Sequence, residues 1–361
     1  MTSTEPMGME LCPRVRVDLQ AVADAASVHR STASRALNPA TRHLVAAEAV
    51  ARIEEAARAL GYRRDDLAAS LRTGRTNLIG VMVPDIINPI FAPILQGVET
   101  ALARQGYSAL VANAGNDPAR QLGVAEQLIG RRVDGLILAT SAEDDPIVAM
   151  CVQQDIPAVL VNRAERGSRL PSVVSDDFEG MRLAVEHLVS LGHRRIGHLA
   201  GPAHLSTGMR RRAGFEMAMR ALGLEVDAIV TAGAYQRGAG AMAAAELLDT
   251  FAITAIAASN DLLALGAYRA LTGLGLSCPH DISIVGHNDM PLVDMVAPPL
   301  TTIRIDPLAL GEKAAALLLD WLGSPPGMEP RAVQLVTKPT LVVRGSTAAP
   351  FSPPAPTSWQ G

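Results

Sequence analysis

From Asn77 onward, short apolar runs alternate with stretches of helical spacing, and the alternation runs through twice. LIGVMVP (78–84), SALVAN (108–113), VDGLILAT (133–140) and IPAVLVN (156–162) make the first set. RRIGHLAG (194–201), DAIVTAG (227–233), ITAIAASN (253–260) and DISIVGHND (281–289) make the second. Runs this continuously apolar are buried on both faces, which a parallel sheet covered by right-handed crossover helices provides. The expected core is α/β, two doubly wound parallel-sheet lobes in succession, with ligand contacts at the carboxyl ends of the strands and a cleft between the lobes. LTTIRID (300–306), a helix over 307–322 and the run QLVTKPTLVVR (334–344) follow. That last run is long enough to serve both halves, so the chain crosses between lobes several times, as a hinge requires.

Length agrees, since 361 residues exceed one ordinary core. No apolar run reaches the roughly 18 residues that span a bilayer, so no membrane helix is expected. The first residues show no cationic start followed by an apolar stretch, and the expected location is the cytoplasm. Cys12, Cys151 and Cys278 are scattered without disulfide or metal spacing. G-x-S-x-G, P-loop and H-E-x-x-H patterns are absent from the sequence. His187, His193 and His198 lie around a helix-to-strand turn, and Asp144-Asp145 and Asp176-Asp177 read as loop and cap residues. Neither an enzyme nor a metal or other cofactor is expected.

Texture divides the rest. Residues 1–16 read as a flexible arm, 17–62 as an all-α segment, 63–76 as a linker, 77–345 as the core and 346–361, STAAPFSPPAPTSWQG, as a disordered tail. Residues 1–75 carry eleven arginines and no lysine against nine acids, a basic excess compatible with a polyanion but too small to decide anything. Over residues 18–38, apolar or small residues at Leu19, Val22, Ala23, Ala26, Val28, Ala33, Ala36 and Leu37 predict two short helices meeting at Ser27-Val28. The outer face of the second displays Arg30, Ser31, Ser34 and Arg35. Periodicity alone leaves two readings open: a solvated hairpin, or donors that enter a major groove.

The stretch Leu19-Gln20-Ala21-Val22-Ala23, Val28, Ser31-Thr32-Ala33-Ser34-Arg35 and Asn38 resembles the helix-turn-helix opening of the lactose/galactose repressor (LacI/GalR) family. The likeness continues through ALGY (59–62), LAASLRTGRTNLIGVMVPD (67–85), NPIF (88–91), HLVSLGHRRIGHLAG (187–201), RRAGF (211–215), ASNDLLALG (258–266), DISIVGHND (281–289) and PPLTTI (298–303). It implies a helix-turn-helix head on a periplasmic-binding-protein-like core. The implied function is a repressor-type transcriptional regulator: a homodimer that holds double-stranded operator DNA under the control of a small, sugar-like effector. Under the resemblance Arg30, Ser31 and Arg35 take base-reading positions, and Thr32, Ser34 and Asn38 contact phosphate. Residues 64–73 match the hinge helix, with Leu71 either the wedge that enters the minor groove or an ordinary linker residue. The tail lacks leucine heptads, which favours a dimer over a tetramer.

The resemblance places the effector among Asp85, Asn88 and Phe91 of the first lobe, Asn162 after the fourth strand, and Arg211, Tyr235, Asn260 and Asn288 of the second. Amides and a guanidinium bind hydroxyls, and an aromatic ring covers the apolar face of a sugar. Arg211 also suits a solvated helix end, and Asn260 a helix cap. Solute-binding proteins of sugar transporters share such a core, but that alternative predicts an export signal and no DNA-binding head. Some residues depart from the family pattern: Ser27 replaces a turn glycine, His29 a serine cap, Val45-Ala46-Ala47-Glu48 the usual opening of the third helix, and Arg64-Asp65 a Pro-Asn pair. Asn162 and Asn288 stand where many sugar-responsive members carry aspartate. With two carboxylates gone and Arg211 kept, the expected effector is neutral with a different hydroxyl pattern, or carries a carboxylate or phosphate.

Overall fold

The computed structural model describes residues 17–38, 41–62, 74–140, 142, 144–325 and 333–351. They belong to two compact units, Met1–Thr76 and Asn77–Gly361. The arm expected at 1–16, residues 63–73 of the hinge segment with Leu71, and residues 352–361 lie outside the described residues.

In the first unit, α1 (Leu19–Ala25) begins where the Asp18 carboxylate accepts from the Ala21 amide at 2.8 Å. The chain then turns through Ser27 at φ 53°, and the Val28 amide donates to the Ala23 carbonyl at 2.9 Å. Serine here holds the left-handed conformation that glycine adopts more cheaply. The second helix, α2 (Arg30–Ala36), is not left uncapped by the loss of the usual serine: Nδ1 of His29 accepts from the Ser31 amide at 3.2 Å. After a single 3-10 turn at Arg42–Leu44 comes α3 (Ala47–Ala59). Ala23, Ala33 and Ala36 let α1 and α2 approach closely, and Val22, Val50 and Ile53 fill the space between the three helices.

The second unit holds both expected sheets. Strands β1 (Leu78–Val83), β2 (Ser108–Asn113), β3 (Gly135–Leu138), β4 (Ala158–Val161) and β5 (Ser172–Ser175) build the first, with α4 (Phe91–Arg104), α5 (Pro118–Gly130) and α6 (Pro146–Gln153) between them. After α7 (Asp177–Ser190), strands β6 (Ile196–Ala200), β7 (Ile229–Thr231), β8 (Ala255–Ala258), β9 (Ser283–Asn288) and β10 (Thr301–Arg304) build the second, with α8 (Ser206–Ala221), α9 (Arg237–Thr250) and α10 (Asp261–Gly273). Then come α11 (Pro307–Gly323), β11 (Gln334–Thr337) and β12 (Thr340–Val342). Strand order is β11-β5-β4-β3-β1-β2 in one sheet and β12-β10-β9-β8-β6-β7 in the other. Each order reverses beside its first strand, at β1/β3 and β6/β8, and such switch points open crevices at the carboxyl ends of strands.

The run 334–344 does serve both lobes. It breaks at Lys338-Pro339, so β11 pairs with β5 in parallel, whereas β12 pairs with β10 antiparallel, one edge strand departing from the all-parallel expectation. The chain therefore passes between lobes at 175–177, 304–307 and 337–340. Residues 346–351 correct the disordered-tail expectation. Ser346 is fully buried, its carbonyl accepts from the Ile284 amide at 2.8 Å and its hydroxyl oxygen from the Thr301 amide at 2.7 Å, binding this segment to the second lobe.

Helices α4 and α11 touch backbone to backbone. A Cβ on Gly311 would stand 2.1 Å from the Ile94 carbonyl oxygen, and one on Gly97 equally close to that of Leu308. Gly311→Val is expected to lower core stability in urea denaturation by about 1–3 kcal/mol through overpacking. Gly323→Ala, in the same helix with nothing within 4 Å, should stay within about 0.5 kcal/mol of the parent. Equal midpoints for all three proteins would refute this packing.

Candidate functional site

On α2 the buried face is Ala33 and Ala36. The opposite side presents Arg30, Ser31 and Arg35 to solvent, with Thr32, Ser34 and Asn38 half-buried alongside. Among the described residues neither Arg30 nor Arg35 pairs with a carboxylate. Five-donor guanidiniums on a short exposed helix are free to take bidentate acceptors.

In the second unit, most of the expected effector residues follow the carboxyl ends of strands, while Phe91 and Arg211 lie on helices. Asp85 and Asn88 follow β1 and fold the turn into α4, their side-chain oxygens accepting from the Ile87 and Ile90 amides at 3.0 and 3.3 Å. Asn162 follows β4 at φ 64°, half-buried, and Asn288 ends β9 at φ 114°, buried, its Oδ1 3.2 Å from His287 Nδ1. Asn260 is the cap of α10, accepting from the Leu263 amide at 2.9 Å. Phe91 is not brought to an open surface: its ring is 2% exposed and packs in the core with Ile94 and Val98.

The centre of this region is Arg211, and it is no solvated helix end. Buried on α8, it donates through Nε to the Asp177 carboxylate at 2.7 Å and through Nη1 to the Ser259 carbonyl at 2.6 Å. Burial works against the charge on this guanidinium, but Asp177 beside it, together with Tyr235 and Asp261, more than offsets that, so Arg211 stays protonated. Tyr235 lies against Gly201, where a Cβ would meet its hydroxyl, and donates to Thr207 Oγ1 at 3.3 Å. The lobes meet beside it, where Ala164 of the first donates its amide to Ser206 Oγ at 3.2 Å and Ala142 bridges to Leu205.

The sequence reading missed Asp177, Arg163 and Thr140. Of the Asp176-Asp177 pair, Asp176 is indeed a cap, accepting from the Glu179 amide at 3.1 Å, while Asp177 is the carboxylate partner of Arg211. A signal existed: Asp177 shares a helical stripe with Gly180, Met181, Ala184 and Leu188, all buried. A carboxylate on an apolar stripe either takes a cationic partner or shifts toward its neutral form. Asp261, likewise buried on α10, accepts from Thr302 Oγ1 at 2.5 Å and from the Met290 amide at 2.8 Å, and burial pushes its carboxyl up to about 7.

Below the cleft, His198 stacks on Phe215 with ring centroids 4.6 Å apart. Its Nδ1 hydrogen goes to the Ala257 carbonyl at 2.7 Å, which leaves Nε2 to accept from the Ser259 hydroxyl at 3.3 Å, and that oxygen in turn accepts from the Gly201 amide at 3.0 Å. Burial pushes this imidazole down to about 4, opposed by the Ala257 carbonyl. The unfolded chain, titrating near the ordinary value of about 6.5, takes up a proton that the fold refuses, so this contribution is complete above pH 6.5 and lost as pH falls toward 4. His198→Gln is expected to lose about 2 kcal/mol less stability than the parent between pH 7.5 and pH 5, by urea denaturation. Taking the difference cancels groups that titrate the other way, such as Asp261. Equal losses in both proteins would contradict a neutral buried His198.

Comparison with known proteins separates this arrangement from others built on the same core. The periplasmic binding protein-like domain matches residues 185–347. A curated relative, the HTH-type transcriptional regulator MalR of Streptomyces coelicolor, is 36% identical over 338 residues, covering 91% of this chain and 96% of its own. The chain belongs to the LacI/GalR family. It is a DNA-binding transcriptional regulator. Among solved LacI/GalR structures, the lac repressor dimer bound to operator and an anti-inducer matches with a TM-score of 0.83 at 28% identity, covering 92% of this chain and all of that one. The CelR–cellobiose complex matches at 0.70 and 29% identity with the same coverage. Among the described residues no helix is long and apolar enough to cross a membrane.

Proposed function

We propose that this LacI/GalR regulator is a cytoplasmic homodimer without catalytic activity, a repressor whose α2 reads operator bases through Arg30, Ser31 and Arg35 while Thr32, Ser34 and Asn38 hold phosphates. A sugar-like solute taken up between the lobes, around Arg211, Tyr235, Asn162, Asn260 and Asn288, changes the grip on DNA. The observation that carries the DNA reading is the split of α2 into an alanine face that is buried and an arginine face that is exposed, with no carboxylate partner among the described residues. The lac repressor dimer on operator supports pairing of two heads on one duplex, and the CelR–cellobiose complex supports a sugar. Three strand-to-strand or strand-to-helix passages between lobes let a ligand favour a closed arrangement, and its differential affinity for the two arrangements is the coupling to DNA.

Selection from a random duplex pool by the purified full-length protein at moderate salt tests this. Enrichment of a near-palindrome, its half-sites about 10 base pairs or a multiple apart, is the expected result. No enrichment over random competitor, with or without sugars, would end the regulator mechanism proposed here.

A further inference from the structure

Arg163 follows Asn162 at the carboxyl end of β4 and is 5% exposed, yet it has no carboxylate partner among the described residues. Its Nη1 donates to the Thr140 carbonyl at 3.3 Å, while its Nε has no acceptor. The hydroxyl of Thr140, at the end of the neighbouring strand β3, is also buried and unpartnered. Two orphaned groups able to donate thus stand just beyond the carboxyl ends of two paired strands, on residues joined by the Arg163 bond to the Thr140 carbonyl. Leaving such groups buried and unpaired costs free energy, more so for a charged one.

The charges nearby do not neutralise this guanidinium. Arg211 has the same sign, and its own carboxylate, Asp177, is already engaged. Tyr235 is neutral near pH 7, since burial raises its phenol above the ordinary value. Asp145 exerts a weaker pull from α6, where its oxygens accept from the Ile147 and Ala142 amides. Asp85 sits half-exposed after β1, where water screens it. Even with burial pushing it down to about 10, Arg163 keeps its proton at pH 7. A hydroxyl satisfies a hydrogen-bond donor but leaves the charge standing; a carboxylate or phosphoryl oxygen satisfies both.

We propose that Arg163 and Thr140 form an anion-recognising subsite of the cleft, and that the effector is a sugar derivative carrying a carboxylate or phosphate. This rests on the reading of the cleft as an effector site and narrows its ligand class. Between the two alternatives left by the loss of aspartates at 162 and 288, it selects the charged one.

The test is calorimetric titration of the full-length protein with D-glucose, D-galactose and D-ribose, each beside its matching sugar acid and terminal phosphate, with inorganic phosphate as a bare-anion probe. At least one acid or phosphate is expected to bind tenfold or more tightly than its neutral parent. Arg163→Met should remove that preference and Arg163→Lys should keep it, with melting curves confirming that both variants fold. If Arg163→Met does not fold, the parent protein decides alone. Neutral sugars that bind as tightly as their charged derivatives, or a charge preference that survives in Arg163→Met, would overturn the anion subsite and leave the effector cleft intact. Absence of binding by every compound, inorganic phosphate included, would overturn both.

Discussion

In a variant carrying Arg30→Ala and Arg35→Ala, affinity for the selected operator is expected to fall by about 2–6 kcal/mol, since each bidentate contact with a base contributes about 1–3 kcal/mol of discrimination, roughly 5- to 150-fold in Kd. Both side chains are exposed on α2 and carry no carboxylate partner among the described residues, so their removal should leave the stability of the head within about 0.5 kcal/mol of the parent. Loss of binding with an unchanged fold separates recognition from folding. Anisotropy titrations on the operator and on a scrambled duplex distinguish the roles further. Removing the arginines should collapse the ratio of the two affinities toward one, whereas Thr32→Ala should weaken both duplexes by a similar factor. A ratio that survives the double substitution would place base reading elsewhere.

The second large effect concerns Asp177. Replacing it with alanine leaves the Arg211 guanidinium buried without its partner, and breaking one side of a buried pair costs about 3–5 kcal/mol. Urea denaturation of the core should register that full loss. Asp177→Asn, which still offers an oxygen to Arg211 Nε, should lose less. Combining Asp177→Leu with Arg211→Met should recover much of the stability, because apolar replacement of both partners removes the orphaned charge. Asp177 opens α7 directly after the passage from β5 into the second lobe, so the pair fixes α8 against the first helix beyond that crossing. Stability unchanged in Asp177→Ala would show that the pair contributes little.

The fold was legible where chemistry along the chain is local. β1 (LIGVMV) and β2 (SALVAN) are six-residue strands whose interiors are continuously apolar, and their positions follow from composition. β5 was missed because SVVS has two apolar residues between serines, and the hydrogen bonds from neighbouring chain that make it a strand belong to β4 and β11, far away in sequence. The binding of 346–351 to β9 and β10 escaped for a related reason: a proline- and serine-rich composition signals disorder unless a partner far back in the chain supplies acceptors, as Ile284, 62 residues earlier, does for Ser346.

For the cleft, position was easier to read than pairing. Strand ends marked Asn162, Asn260 and Asn288, but whether Arg211 pointed to solvent or inward depended on Asp177, which sits 34 residues earlier. Arg163 was overlooked since one strand end offers two adjacent residues, and which of them is buried depends on β3 and Ser206 of the other lobe. His29 and Ser27 show the opposite case. Both break the family pattern, yet the geometry expected there persists, because an imidazole nitrogen accepts a cap hydrogen bond and a single serine can hold the left-handed turn at a modest steric cost.

The central claim is that a ligand held between the lobes of the core controls the DNA affinity of the head. Its most direct measurement is the operator Kd of the full-length protein with and without the small molecule that most raises the melting temperature of the core. A change of about 5- to 150-fold, in either direction, is the predicted result. An operator Kd that stays the same while the cleft is saturated would contradict it.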